Sequence, residues 1–391
     1  MDREFDILVY GATGFTGRLV AEYLASRYSD GSLRWAMAGR SLTKLRQVRG
    51  EIGAAPDTPL VTANADDPAS LEAMVQRTSV VITTVGPYQL YGEALLAACA
   101  RTGTAYVDLC GEPAWMRQMI DKYESTAKAS GARIVFSCGF DSIPFDLGVW
   151  TAQQEARRRF GRPAPRVKGR IRAMKGTFSG GTFASGKATM AAAAKDPSVL
   201  KIMVDPFGLT PGFEGPHQPN GLVPYHDDAV DAWVAPFMMA VINTKNVHRT
   251  NFLAGHPYGA DFQYDEMMIA PGIGELGKAA AEAMAKLNPM HSDKGPRPGE
   301  GPSREERETG YYTLAFVAEM PEGERVTAVV EGDKDPGYGS TSKMIAEAAL
   351  CLLRDVPSEG KGGIWTPGAL MAEPLRKRLE AHAGIRFSAE G

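Results

Sequence analysis

The chain has 391 residues, of which 44% are apolar and 23% charged, and its formal net charge is −3. Such a length exceeds one ordinary core and suits two domains, and so small a charge excludes a basic surface built for nucleic acid. The four cysteines, Cys99, Cys110, Cys138 and Cys351, form no C-x-x-C pair, which excludes a disulfide framework and reads as reduced thiols in a cytoplasmic enzyme.

The amino terminus is charged and runs straight into a strand, so no secretory leader is expected. Residues 7–10 are a short apolar run ending in glycine, as a buried parallel strand should be. A helix follows over 18–25, then strands at 33–38 and 60–65, with Pro68 opening the next helix. Residues 80–85, rich in β-branched side chains, predict a fourth strand, 93–100 a helix, 105–109 a fifth strand, 115–129 a long helix and 134–136 a sixth strand. Repeated strand–helix units of this length imply α/β architecture: a doubly wound parallel sheet covered on both faces.

After about residue 145 the alternation stops. Strands are expected at 167–174, 311–319 and 326–331, which suggests a second, α+β domain on a mixed sheet. The stretch 205–228 is rich in Pro and Gly but carries Phe207, Phe213 and Tyr225. The stretch 292–308 is polar and reads as a mobile surface loop. Helices return at 342–354 and 369–381. The expected division is 1–145 for a dinucleotide-binding domain, 146–338 for a substrate domain and 339–391 for C-terminal helices, the first packing back on the N-terminal domain through its apolar stripe. No apolar run reaches the roughly 18 residues of a membrane-spanning helix. The longest, 232–242, is shorter and contains Pro236, so no integral membrane segment is expected.

Gly11-Ala12-Thr13-Gly14-Phe15-Thr16-Gly17 lies between the first strand and the first helix. Glycines there let the backbone turn tightly and approach a pyrophosphate, whose charge sits at the helix N-terminus. The spacing is G-x-x-G-x-x-G, and the flanking strand and helix give it its weight. The second strand ends in Gly39-Arg40-Ser41, where an NAD site would carry an acid for the ribose hydroxyls. Arg40 suits a 2′-phosphate instead, with Ser41 and Lys44 as further contacts, so NADPH is the expected cofactor. Four segments fall at the carboxyl edge of the sheet: Asp66; Gly86-Pro87-Tyr88 with Tyr91; residues 108–112; and residues 139–144 with Asp141. Turn chemistry explains Asp66 adequately, whereas Tyr88, Tyr91 and Asp141 are candidates for the catalytic acid. The histidines are scattered, no metal-ligand set is visible, and neither a G-x-S-x-G elbow nor a Tyr-x-x-x-Lys pair occurs.

These segments resemble the saccharopine dehydrogenase-like oxidoreductases: residues 9–17, 38–40, 85–88 and 106–112, and most specifically 139–148. Residues 179–182, 235–240 and 337–344 resemble the branch known as trans-acting enoyl reductases. The resemblance implies a Rossmann domain completed by a C-terminal helix and a substrate domain on a mixed sheet. It also implies NADPH-dependent reduction of a double bond on a polyketide-derived acyl lipid, in trans with a polyketide synthase. The alternative within the family is a saccharopine-type imine reductase, which needs cations for substrate carboxylates; Arg170, Arg172 and Lys175 are the candidates. A non-catalytic NADPH-binding sensor is the alternative from another class. The run 232–242 is a candidate acyl wall. A homo-oligomer and loose membrane association are compatible with this reading, and no basic amphipathic helix argues for the latter.

Overall fold

A computed structural model describes residues 3–177, 179–287 and 299–390. From the amino terminus, β1 (Phe5–Tyr10), α1 (Phe15–Arg27), β2 (Trp35–Gly39), α2 (Leu42–Glu51), β3 (Leu60–Thr62), α3 (Pro68–Val75), β4 (Thr78–Thr83), α4 (Tyr88–Tyr91), α5 (Glu93–Thr102), β5 (Ala105–Val107), α6 (Pro113–Ser130) and β6 (Arg133–Val135) follow one another. Next come α7 (Ile143–Phe160), β7 (Arg166–Lys175), α8 (Gly180–Lys195), α9 (Pro197–Val204), β8 (Tyr225–Asp227), β9 (Ala232–Pro236), α10 (Ala240–Leu253), β10 (Gln263–Ile269), α11 (Gly274–Lys286), α12 (Arg304–Thr309), β11 (Tyr311–Glu319) and β12 (Arg325–Gly332). A π-helical turn (Pro336–Ser340), α13 (Thr341–Arg354), β13 (Gly363–Trp365), α14 (Pro367–His382) and β14 (Ile385–Glu390) complete the chain.

Two seven-stranded sheets organise these elements. The first has the order β13-β6-β5-β4-β1-β2-β3 and all its pairings are parallel. Six of its strands are those read from the N-terminal sequence. The seventh, β13, arrives from the far end of the chain and pairs with β6. The second sheet, β14-β12-β11-β7-β10-β9-β8, is mixed, with β7 and β10 parallel and the remaining pairs antiparallel. The architecture is therefore the α/β class expected, a doubly wound Rossmann sheet beside a mixed one.

α13 packs on α1, β1, β4 and β5, and its apolar residues Met344, Ile345, Ala348, Cys351 and Leu352 are all buried. α7 leaves the carboxyl edge of the first sheet and crosses onto β11 and β12. Gly148 makes that crossing close: a Cβ there would stand 2.1 Å from the ring of Phe316, so only glycine fits.

Two local expectations change. The run 232–242 is divided between β9 and the start of α10, and Val234, Ala235, Phe237 and Ile242 are buried. Phe237 stacks on Phe145, whereas Trp233, Met238 and Met239 are half-buried and Val241 is exposed, so only part of the run is core. Of the loop expected over 292–308, residues 292–298 lie outside the described residues. From Gly299 onward the chain is built into the fold: α12 opens with a capping box between Ser303 and Glu306, and Gly301 lies against the Phe15 ring. The polar composition had hidden this short capped helix.

Candidate active site

The glycine-rich turn forms a cradle. Gly11 has φ +89°, a left-handed conformation, and its N–H donates to Ala38 O at 3.0 Å, which ties the turn to β2. A Cβ on Gly17 would come within 2.2 Å of Gly11 O, so α1 can begin this close to β1 only with glycine there. Gly14 caps α1 without a side-chain hydrogen bond, which leaves the N–H groups of the first turn for an anion. Thr13, Phe15 and Thr16 stand in the same turn. The Phe15 ring meets Tyr338 edge-on at 5.2 Å and lies 5.6 Å under the Arg307 guanidinium.

The adenosine end lies beyond β2. Arg40 is exposed and makes no hydrogen bond or ion pair with the described residues. Ser41 caps α2 by accepting the Lys44 N–H at 3.4 Å, so the N-terminus of α2 opens beside Arg40. Asp66 is exposed in the turn before α3, where its N–H donates to Asn64 Oδ1 at 3.4 Å. Tyr10 connects the two: burial pushes its phenol up to about 12, the Asp66 charge adds to that and the Arg40 charge opposes it. Arg40 and Asp66 thus converge on one end of the cradle.

At the end of β4, Gly86 and Pro87 lead into α4, and α8 overhangs them: Ser185 Oγ is 3.4 Å from the Cβ position of Gly86. Gln89 Nε2 donates to Thr189 Oγ1 at 3.3 Å farther along the same helix. At its other end α8 is held by Tyr338, whose phenol oxygen accepts the Ser179 N–H and sits 2.9 Å from Thr182 Oγ1. This helix therefore roofs the carboxyl edge from the phosphate turn to α4.

Of the two tyrosines near α4, Tyr88 is not placed as an acid of this cleft. Tyr88 is only 5% exposed, and its hydroxyl donates to Thr83 O at 3.2 Å while accepting the Leu109 N–H at 3.0 Å. Burial holds this phenol well above its ordinary range, so it is a strut between the ends of β4 and β5. Tyr91 lines an outer groove with Ala65, Pro68, Arg101 and Tyr123.

Asp141 stands differently. It follows β6 and is partly accessible, yet its Oδ1 is buried without a partner. Burial pushes its carboxyl up to about 7, against a lowering hydrogen bond from Asn243. Such a group is protonated or ionised on small changes near neutral pH, which suits proton transfer. Its neighbours escaped sequence reading: Asn246 Nδ2 donates to Ser142 Oγ at 2.8 Å, and Asn243 Nδ2 donates to Glu266 Oε2 at 3.0 Å. Asn243, Asn246 and Glu266 come from α10 and β10, and no local motif announces them. Tyr338 and Thr182 lie in segments that the family resemblance marked, but nothing in their spacing gave them a role.

The candidate carboxylate-binding cations are engaged elsewhere. Arg170 is 1% exposed and bonds Asp227 at 2.7 Å, Asp265 at 3.0 Å and Tyr225 Oη at 2.7 Å. Arg172 is paired with Glu390, and Lys175 Nζ donates to Thr309 Oγ1 at 3.1 Å. Among the described residues no cluster of His, Cys, Asp or Glu could hold a metal ion, and no helix is long and apolar enough to cross a membrane.

Comparison with known proteins agrees with this geometry. Residues 7–135 match the saccharopine dehydrogenase NADP binding domain. The chain is 41% identical over 409 aligned positions to a putative trans-acting enoyl reductase of Mycobacterium tuberculosis, covering 98% of this chain and 97% of that protein. A trans-acting enoyl reductase of Mycobacterium leprae is 38% identical with the same coverage, 98% and 97%. Among solved structures, the saccharopine dehydrogenase (L-Glu forming) of Saccharomyces cerevisiae superimposes with a TM-score of 0.54 at 12% identity, covering 99% of this chain and 100% of that one, a likeness of fold.

Proposed function

We propose, from the premise that this chain belongs to the family of the trans-acting enoyl reductases, that it is an NADPH-dependent reductase of an activated C=C bond on an acyl substrate. One observation carries the cofactor: an exposed Arg40, without a partner among the described residues, stands beside the N-terminus of α2, and the N-terminus of α1 has no side-chain cap. The first-turn N–H groups of α1 take the pyrophosphate, with Gly11, Thr13, Gly14, Phe15, Thr16 and Gly17 around it. Arg40 takes the 2′-phosphate with Ser41 and Lys44, and Asp66 stands at the same end. Gly86 and Pro87, at the carboxyl end of β4, would hold the nicotinamide end of the cofactor. When bound, NADPH supplies the hydride that adds to one carbon of the double bond.

Asp141 supplies the proton to the other carbon and is reprotonated from solvent. Arg170 is ion-paired with Asp227 and Asp265 and Arg172 with Glu390, which disfavours a saccharopine-type imine, whose carboxylates would need such cations free. A neutral acyl chain needs no such cations. The names of the relatives support action in trans, on an intermediate presented by a separate synthase such as a polyketide synthase.

The test is a titration of both cofactors followed by turnover. NADPH should bind at least tenfold more tightly than NADH, and Arg40→Asp should remove that preference by setting a negative charge against the phosphate. NADPH oxidation should follow a long-chain enoyl thioester and not a saccharopine-type imine at matched concentration. Equal cofactor affinities, or turnover of the imine alone, would overturn the reading, and binding without turnover of either would favour a sensor.

A further inference from the structure

Two carboxyl groups reach one amide. Asp141 comes from the loop after β6, Glu266 from the middle of β10, and Asn243 from the first turn of α10. Asn243 Nδ2 donates to Glu266 Oε2 at 3.0 Å, and Tyr264 Oη donates to Glu266 Oε1 at 2.9 Å. The Asn243 side chain also hydrogen-bonds Asp141. Glu266 and Asn243 are fully buried.

Two oxygens in this chain of groups are buried without a partner, Asp141 Oδ1 and Asn243 Oδ1. Both are acceptors while Asp141 is ionised, so neither can satisfy the other. A proton on Asp141 turns one into a donor and pairs both with a single hydrogen bond. Glu266 already receives two donors, the arrangement that suits an ionised carboxylate. The orientation of the Asn243 amide thus selects which acid carries the proton: with Nδ2 toward Glu266, the proton belongs on Asp141.

The surroundings do not undo this coupling. Glu266 faces Asn243 on α10 and Asp141 on the β6 loop, with Tyr264 and Asp265 beside it on its own strand. From β7, Gly169 packs against the Glu266 stem, and the neighbouring Arg170 is engaged by Asp227 and Asp265. Burial raises both carboxyls above their ordinary range, and the nearby Asp141 charge adds to the rise at Glu266. Two acids this close titrate as a pair.

We infer that Glu266 is a positioning residue for proton transfer, which through Asn243 keeps a proton on Asp141 around neutral pH. The inference rests on the reading of Asp141 as donor, but its first test needs no substrate. The carboxyl carbon of Asp141 is followed by NMR in protein labelled with ¹³C at aspartate carboxyls, and its resonance is assigned by its loss in Asp141→Asn. In Glu266→Gln the titration midpoint of Asp141 should fall by at least one pH unit, a tenfold change in its acid constant. An unchanged midpoint overturns the inference. Should Glu266→Gln fail to fold, Tyr264→Phe removes a donor from Glu266, lets it retain the proton and should move the Asp141 midpoint down by a smaller amount; no movement there overturns the inference equally.

The second readout is the pH profile of kcat with NADPH and a long-chain trans-2-enoyl thioester. The rate should fall with rising pH as Asp141 ionises, and the fall should come at lower pH in Glu266→Gln, with the rate at pH 5.5 and the KM for NADPH kept within twofold. Full turnover in Asp141→Asn would overturn the donor reading alone. A shifted NMR midpoint with an unshifted rate profile would overturn the link to proton transfer.

Discussion

Tyr88 is held from several sides. Its N–H and that of Gln89 each donate to a Glu112 carboxylate oxygen at 2.9 Å, its ring lies 5.7 Å from that of Trp115, and its hydroxyl is engaged at both ends. Tyr88→Phe leaves the Leu109 N–H and the Thr83 carbonyl unpaired, which should cost about 1–3 kcal/mol of stability. Turnover should stay within a few-fold; chemical denaturation beside a rate measurement checks both, and a loss of rate far beyond the loss of stability would return Tyr88 to the reaction. At this scale the phosphate cradle and Arg40 were legible because their chemistry is local: glycine spacing and one basic residue at a strand end suffice. Asp141 was legible as a position. Its partners Asn243 and Glu266 were not, since packing alone brings α10 and β10 to the β6 loop.

The N-terminus of α7 carries a second buried acid. Asp146 Oδ2 accepts the Gly368 N–H at 2.7 Å, and Oδ1 has no hydrogen-bond partner. Burial pushes this carboxyl up to about 7. Between an unfolded value near ~4 and that folded value, the unfolded chain has released the proton and the native chain has kept it, so the native state loses stability as pH rises. Asp146→Asn keeps an acceptor for Gly368 and removes the titration. Its stability relative to the parent should therefore grow by up to about 1.4 kcal/mol per pH unit across that window and level off above it. Thermal melts of both proteins at pH 4.5, 6 and 8 decide this, and a constant difference would refute it. Among elements, the six N-terminal strands were legible because each is an apolar run ended by turn residues. β13 and β14 were not: Gly363–Trp365 is three residues long, and Ile385–Glu390 is amphipathic and lies beyond the last expected helix.

The carboxyl-terminal tail belongs to both halves of the molecule. β13 pairs with β6 in the first sheet, β14 pairs with β12 in the second, and α14 between them packs on α7, α10 and α13. A chain ending at Arg354 would lose an edge strand from each sheet together with Ile364, Leu375, Leu379 and Ile385, all buried now, and would uncover the surfaces of α7, α10 and α13 on which α14 packs. Such a truncation should yield no folded NADPH-binding protein, as judged by circular dichroism and cofactor titration; a soluble fragment with parental affinity would show the tail to be dispensable. A linear partition into an N-terminal and a middle domain misses this, because sequence order does not reveal which sheet a late strand joins.

The same tail governs how a bulky molecule can get in and out. With both sheets strapped to one another by α14 and crossed by α7, swinging the halves apart would tear packed apolar surface on several helices at once. Along α8, by contrast, only Gly180 is buried, and the helix hangs from Tyr338 at one end and Gln89 at the other. Lifting α8 would therefore uncover less packed apolar surface than parting the two sheets. An acyl substrate of the kind proposed would then trail outward from under that edge.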